Sequence, residues 1–167
     1  VKVVINSCYG GFSLSPRAVQ RLAELQGRKC YFYRNARTAD NRPDFDRYER
    51  ITVEEADSDF MWFAFDVPDA ERTICVRYTK EEWRAATDEQ RKAWNEEYSR
   101  HQLDGRDWVR HDPLLVQVVE ELGGEHRQGA SGKCAKLSIV EIPDDVDYEI
   151  AEYDGLEHVA EKHRTWR

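Results

Sequence analysis

Val1-Lys2-Val3-Val4-Ile5-Asn6-Ser7-Cys8-Tyr9-Gly10-Gly11-Phe12-Ser13-Leu14-Ser15-Pro16 reads as a strand, a turn and a helix start in direct succession. Val1, Val3 and Ile5 are β-branched and alternate along the first segment, as in a strand. Gly10 and Gly11 end it in a turn. Ser15 then offers an N-cap oxygen and Pro16 a first helical residue with φ already set. Val19, Leu22, Ala23 and Leu25 follow on one helical face, and Gly27 stands where a helix ends. Cys30-Tyr31-Phe32-Tyr33 is the next strand, so the chain opens strand, turn, helix, strand.

Farther along, residues 34–50 carry Arg34, Arg37, Arg42, Arg47 and Arg50 with Asp40, Asn41 and Pro43, a polar mixture that predicts a long loop. Residues 51–53, 59–66 and 74–78 read as strands. Thr79-Lys80-Glu81-Glu82 and Thr87-Asp88-Glu89-Gln90 both match a capping box, so 79–105 predicts a helical insertion. Trp83, Trp94 and Tyr98 stand out there on a polar background, which predicts self-association into a homo-oligomer. Asp112-Pro113 opens a helix with Leu115, Val118, Val119 and Leu122 facing inward. The four glycines of 123–133 predict a flexible loop, and 136–142 a strand. Val146, Tyr148 and Ile150 alternate in a short strand, and Asp154-Gly155-Leu156-Glu157 predicts a last helix. The fold class expected is α/β or α+β: a mixed β-sheet with three to four packed helices. No repeat or linker divides the chain, so one domain is expected, with an insertion at about 79–105.

Composition narrows the partners. The 167 residues are 35% charged and 11% aromatic, enough for a core but with no apolar run near membrane length. The longest such run, Phe60 to Phe65, is far too short to span, so no membrane partner is expected. A formal charge of -8 disfavours duplex DNA. The first residues do not form a signal-peptide core, which predicts a cytoplasmic setting. Cys8, Cys30, Cys75 and Cys134 form no CxxC pair, so four reduced thiols are expected and no zinc site. No cofactor is expected.

Several groups of residues have the chemistry of a site. Cys8, Tyr9, Gly10, Gly11 and Phe12 followed by Ser15 can point backbone N–H groups at an anion, or can simply be a tight turn. Arg17, beside the first helix start, and Arg110 with His111, before the second, would line a rim for a phosphate if both starts lie at one end. Alternatively, Arg110 pairs with a carboxylate. Cys8 has a nucleophile's chemistry if a histidine stands beside it. Glu157, His158, Glu161 and His163 offer ligand atoms for a metal, but without the HExxH spacing. Phe60, Trp62, Phe63, Phe65, Trp94 and Tyr98, with the arginines of 34–50, suit a stacked base or a sheet core.

Ile5-Asn6-Ser7-Cys8-Tyr9-Gly10-Gly11-Phe12-Ser13-Leu14-Ser15 resembles the opening of a family of small bacteriophage and prophage proteins. The likeness extends to Arg110-His111-Asp112-Pro113, to Val140-Glu141-Ile142-Pro143-Asp144-Asp145, and to Tyr153-Asp154-Gly155 through His163-Arg164-Thr165-Trp166. It implies a phage origin and a host-cell cytoplasmic setting, and brings no activity with it. The function expected first is a non-enzymatic binding protein that sequesters a phosphorylated, nucleotide-derived small molecule used as a host-defence signal. The alternatives are an acidic inhibitor that binds a host defence protein, and a hydrolase acting on nucleotides.

Overall fold

The computed structural model describes residues 1–68, 78–105, 107–125 and 129–163. The fold is α+β. Its strands are β1 (Lys2–Asn6), β2 (Tyr31–Arg37), β3 (Pro43–Ile51), β4 (Phe63–Phe65), β5 (Leu137–Glu141), β6 (Tyr148–Tyr153) and β7 (Leu156–Glu161). Its helices are α1 (Pro16–Leu25), α2 (Val53–Ser58), α3 (Lys80–Ala85), α4 (Asp88–His101) and α5 (Pro113–Leu122). All described strand pairs are antiparallel. The chain divides into two compact units, one of residues 1–25 with 106–167, the other of residues 26–105. The sequence reading sets its insertion at about 79; the second unit begins at Gln26.

In the first unit β1 pairs with β5, in register from Lys2 opposite Glu141 to Asn6 opposite Leu137. Val3 and Val4, on opposite faces of β1, are both fully buried. α1 brings Ala18, Val19, Leu22 and Ala23 to the core and α5 brings Leu115, Val116, Val118 and Val119. Each such large aliphatic side chain contributes roughly 1.5–3 kcal/mol by leaving water. Both expected helix starts form as the sequence indicates. Ser15 Oγ accepts the Ala18 N–H at 3.1 Å, and Asp112 Oδ1 accepts the Leu114 N–H at 2.7 Å. Gly27 and Gly123 end the two helices with φ of 69° and 74°.

Two expectations in this unit are corrected. Residues 154–163 do not begin a helix, because β6 and β7 form a hairpin with Tyr153 opposite Leu156. Asp154 and Gly155 are its two turn residues, with φ of 51° and 85°. A two-residue turn of this hand needs positive φ at both positions, and Asp-Gly is the pair that accepts it most easily. The glycine-rich 123–133 segment is also no loose loop where it is described. Gly129, Ala130, Ser131 and Gly132 are buried, and Ser131 Oγ both donates to Gly124 O and accepts the Leu137 N–H.

The second unit is built on the sheet β3-β2-β4. Residues 34–50 are therefore a hairpin and not a long loop, with a bulge between Asn35 and Ala36. Its charges pair on the strands themselves: Arg34 Nε donates to Glu49 directly opposite at 2.6 Å, and Arg50 stacks over Tyr31. Of the strand expected at 51–53, Ile51 closes β3 and Val53 opens α2, capped by a Thr52–Glu55 box. Of the strand at 59–66 only β4 forms. In the strand expected at 74–78, residues 74–77 lie outside the described residues, and Tyr78 is not in a strand.

Both expected capping boxes of the insertion are present. The aromatics offered as grounds for self-association have partners within their own unit. Tyr98 packs edge-on against the fully buried Phe65, with centroids 5.2 Å apart. Trp83 and Trp94 stack on Tyr78 at 4.5 and 5.1 Å.

Candidate functional site

β1 ends at a buried amide that gathers four segments. Asn6 Nδ2 donates to Cys8 O and to Gly155 O, both at 2.6 Å, while Asn6 Oδ1 accepts the Lys136 N–H at 2.8 Å. The Asn6 backbone N–H donates to Glu157 Oε2 at 2.7 Å. That carboxylate, 8% exposed, also receives both ends of the Arg110 guanidinium at 2.8 and 2.9 Å. The same guanidinium lies 3.3 Å from the centre of the Phe12 ring. A bidentate pair so far from water holds only when its remaining hydrogen-bonding capacity is filled, as it is here.

The glycine turn is seated on this cluster. A Cβ on Gly10 would overlap the Cys134 carbonyl, and a Cβ on Gly155 would overlap the Gly11 backbone. Gly11 itself has a φ of 80°. The glycines thus serve close backbone approach between residues 8–11, 134 and the hairpin turn. Ser15 is buried and joined to the 129–130 segment through its hydroxyl and its N–H. Ala130 N in turn donates to Gly123 O. The start of α1 is therefore linked to the end of α5, whereas Arg110, just before the start of α5, bonds through its carbonyl to the Val4 N–H in mid-β1.

Of the expected site residues, Cys8, Gly10, Gly11, Phe12 and Arg110 are brought together, and the polar groups among them point inward. Tyr9 is 66% exposed at the surface of the same turn. Arg17 is half-buried on α1. His111 is exposed, its Nδ1 2.6 Å from Tyr148 Oη. No group of three or more metal-ligating side chains occurs among the described residues. Glu157, His158 and Glu161 lie on β7, not on a helix, and Glu157 is held by Arg110.

Three features were not anticipated. The first is Asn6 with Glu157, which the sequence separates by 151 positions. The second is Asp66 in the other unit, with Arg28 Nη2 and His101 Nδ1 each 2.8 Å from its carboxylate. Burial works against its ionisation, and the hydrogen bonds from Arg28 and His101 outweigh that, so its carboxyl is held below the ordinary aspartate value. The third is charge. Residues 141–161 hold nine acids and no lysine or arginine. Eight of the nine are exposed, Glu157 being the exception. At the hairpin turn Tyr153 is 76% exposed, and the Gly155 backbone abuts residues 9–11, next to exposed Tyr9.

Within the second unit, a shallow groove of about 750 Å³ runs along α4. Trp83, Arg91, Lys92, Asn95, Ser99 and Arg100 line it, together with Asp88 and Glu96. Arg91 is paired with Asp88 at 2.9 Å and lies over the Trp83 ring. No protein-family model, no curated protein and no solved structure matches this chain.

Proposed function

We propose that the protein is a non-enzymatic binding protein whose acidic surface, around the β5–β6 connection and the β6–β7 hairpin, recognises a basic protein. One observation carries this reading: eight exposed carboxylates within 141–161, with no lysine or arginine among them. Exposed Tyr9 and Tyr153 at the hairpin turn add flat aromatic faces suited to arginine and lysine side chains. Such a field speeds encounter with a cationic partner and rejects anionic ones. Given the resemblance to phage proteins, the partner class is a host protein with a basic, nucleic-acid-binding surface.

A second reading is sequestration of a phosphorylated, nucleotide-type molecule. It is favoured by the α4 groove, which Trp83 lines and where Lys92 and Arg100 offer cations. The glycine turn suits that role less, because Arg110 is already bound to Glu157. Fluorescence anisotropy at low salt separates the two, with a labelled arginine-rich peptide and a labelled nucleoside triphosphate as probes. Binding of the peptide alone is expected. Binding of the nucleotide alone, recovered unchanged, would establish the second reading instead, and binding of neither would overturn both.

A further inference from the structure

Cys8 and Cys134 meet where the glycine turn rests on the segment leading into β5. The Cys8 thiol has two acceptors in reach, the Cys134 carbonyl oxygen at 3.2 Å and Asn6 Oδ1 at 3.3 Å. A carbonyl oxygen lies about 2.4 Å from its own Cα, so Cys8 Sγ is within roughly 5.6 Å of the Cys134 Cα. The approach is enforced by Gly10, whose missing Cβ leaves the space that Cys134 fills. Both thiols are free, Cys134 is exposed and Cys8 is half-buried. Each stands on one of two segments already cross-linked by Asn6, which bonds to Cys8 O on one side and to the Lys136 N–H on the other. Contact, access and a pre-formed scaffold therefore coincide at this pair. Cys30, the other described cysteine, lies in the second unit.

We propose that Cys8 and Cys134 form a redox-sensitive pair that a peroxide converts to an intramolecular disulfide. The Cys134 thiolate, the more accessible, attacks one oxygen of hydrogen peroxide. The O–O bond breaks, hydroxide leaves, and Cys134 becomes a sulfenic acid. The Cys8 thiolate then attacks that sulfur, the S–S bond forms, and the departing hydroxide takes up a proton as water. In sum two thiols and one peroxide give one disulfide and two waters. The link ties the glycine turn covalently to the entry of β5, and so adds a covalent lock to contacts that Asn6 and Gly10 already make.

The test is to treat the full-length reduced protein with hydrogen peroxide, quench it, alkylate it, and map its peptides without reduction. The expected result is a monomer lighter by two hydrogens, with Cys8 and Cys134 peptides joined, Cys30 and Cys75 alkylated, and full reversal by dithiothreitol. The oxidised protein is also expected to melt at a higher temperature than the reduced one. Cys134→Ser should abolish the two-hydrogen loss, whereas Cys30→Ser should leave it intact, and circular dichroism of each variant confirms that it is folded. A disulfide involving Cys30 or Cys75, linkage only between chains, or stepwise oxygen addition at Cys134 without linkage would each overturn the proposal.

Discussion

At the scale of single residues, the first unit depends on groups whose value comes from where the chain returns to them. Arg110 and Glu157 illustrate it. Removing one member of a buried pair leaves the other charged and unpaired, at a cost of about 3–5 kcal/mol. Arg110→Ala should therefore destabilise by about that amount in urea unfolding. The double variant with Glu157→Ala should recover part of the loss, and simple additivity of the two would contradict the geometry. Gly10 and Gly11 differ in kind. Gly10→Ala drives a methyl into the Cys134 carbonyl and should cost about 1–3 kcal/mol or more. Gly11 has open space around its Cβ position and only a positive φ against substitution, so Gly11→Ala should cost nearer 1 kcal/mol. Equal costs would contradict the close packing of the turn.

At the scale of elements, legibility followed the reach of the governing interaction. Ser15-Pro16, Asp112-Pro113 and the boxes at Thr79 and Thr87 are closed within four residues, and the corresponding helices form where expected. Thr52-Val53-Glu54-Glu55 is the same motif, hidden by the apolar Ile51 and Val53 on either side of the cap. Thr52→Ala removes the oxygen that accepts the Glu55 N–H and should cost about 1 kcal/mol, with loss of helical signal. Residues 34–50 were not legible as strands, because Arg34 and Arg50 find Glu49 and Tyr31 across the hairpin rather than along the chain. Residues 156–163 carry an apolar spacing that fits a helix, yet Asp154-Gly155 turns the chain back onto β6. Gly155→Val would require a β-branched residue at positive φ and a clash with Gly11, and should unpair the hairpin. Retention of the strand pairing seen by amide exchange would contradict this account.

At the scale of the whole molecule, charge is the common thread. Asp66 contributes to acid sensitivity with a definite sign. Its folded-state pKa is lowered, so the stability it contributes is complete above about pH 4, the unfolded aspartate value, and is lost as pH falls through the folded value. Asp66→Asn should lower the melting temperature at about pH 6, and the two melting curves should converge as the pH is lowered below about 4. A gap independent of pH would contradict the role given to the carboxylate. Of the candidate site, the sequence singled out Arg110, Cys8 and the glycines, which the structure brings together. It could not reveal that Glu157 claims the arginine, since that pairing spans 47 positions. The nine acids of 141–161 stand in one stretch of sequence, but that eight of them face solvent and Glu157 alone is buried is set by the β5–β6 connection and the β6–β7 hairpin. The central claim is that these exposed carboxylates are the recognition surface. Asp145, Asp147 and Glu149 are exposed, and among the described residues their side chains make no hydrogen bond or ion pair. The most direct test is therefore to measure the affinity of the arginine-rich peptide for Asp145→Lys/Asp147→Lys/Glu149→Lys and for Arg91→Ala/Lys92→Ala/Arg100→Ala. The charge-reversed protein should bind at least tenfold more weakly while the groove variant binds as the wild type does; unchanged affinity after charge reversal would contradict the account.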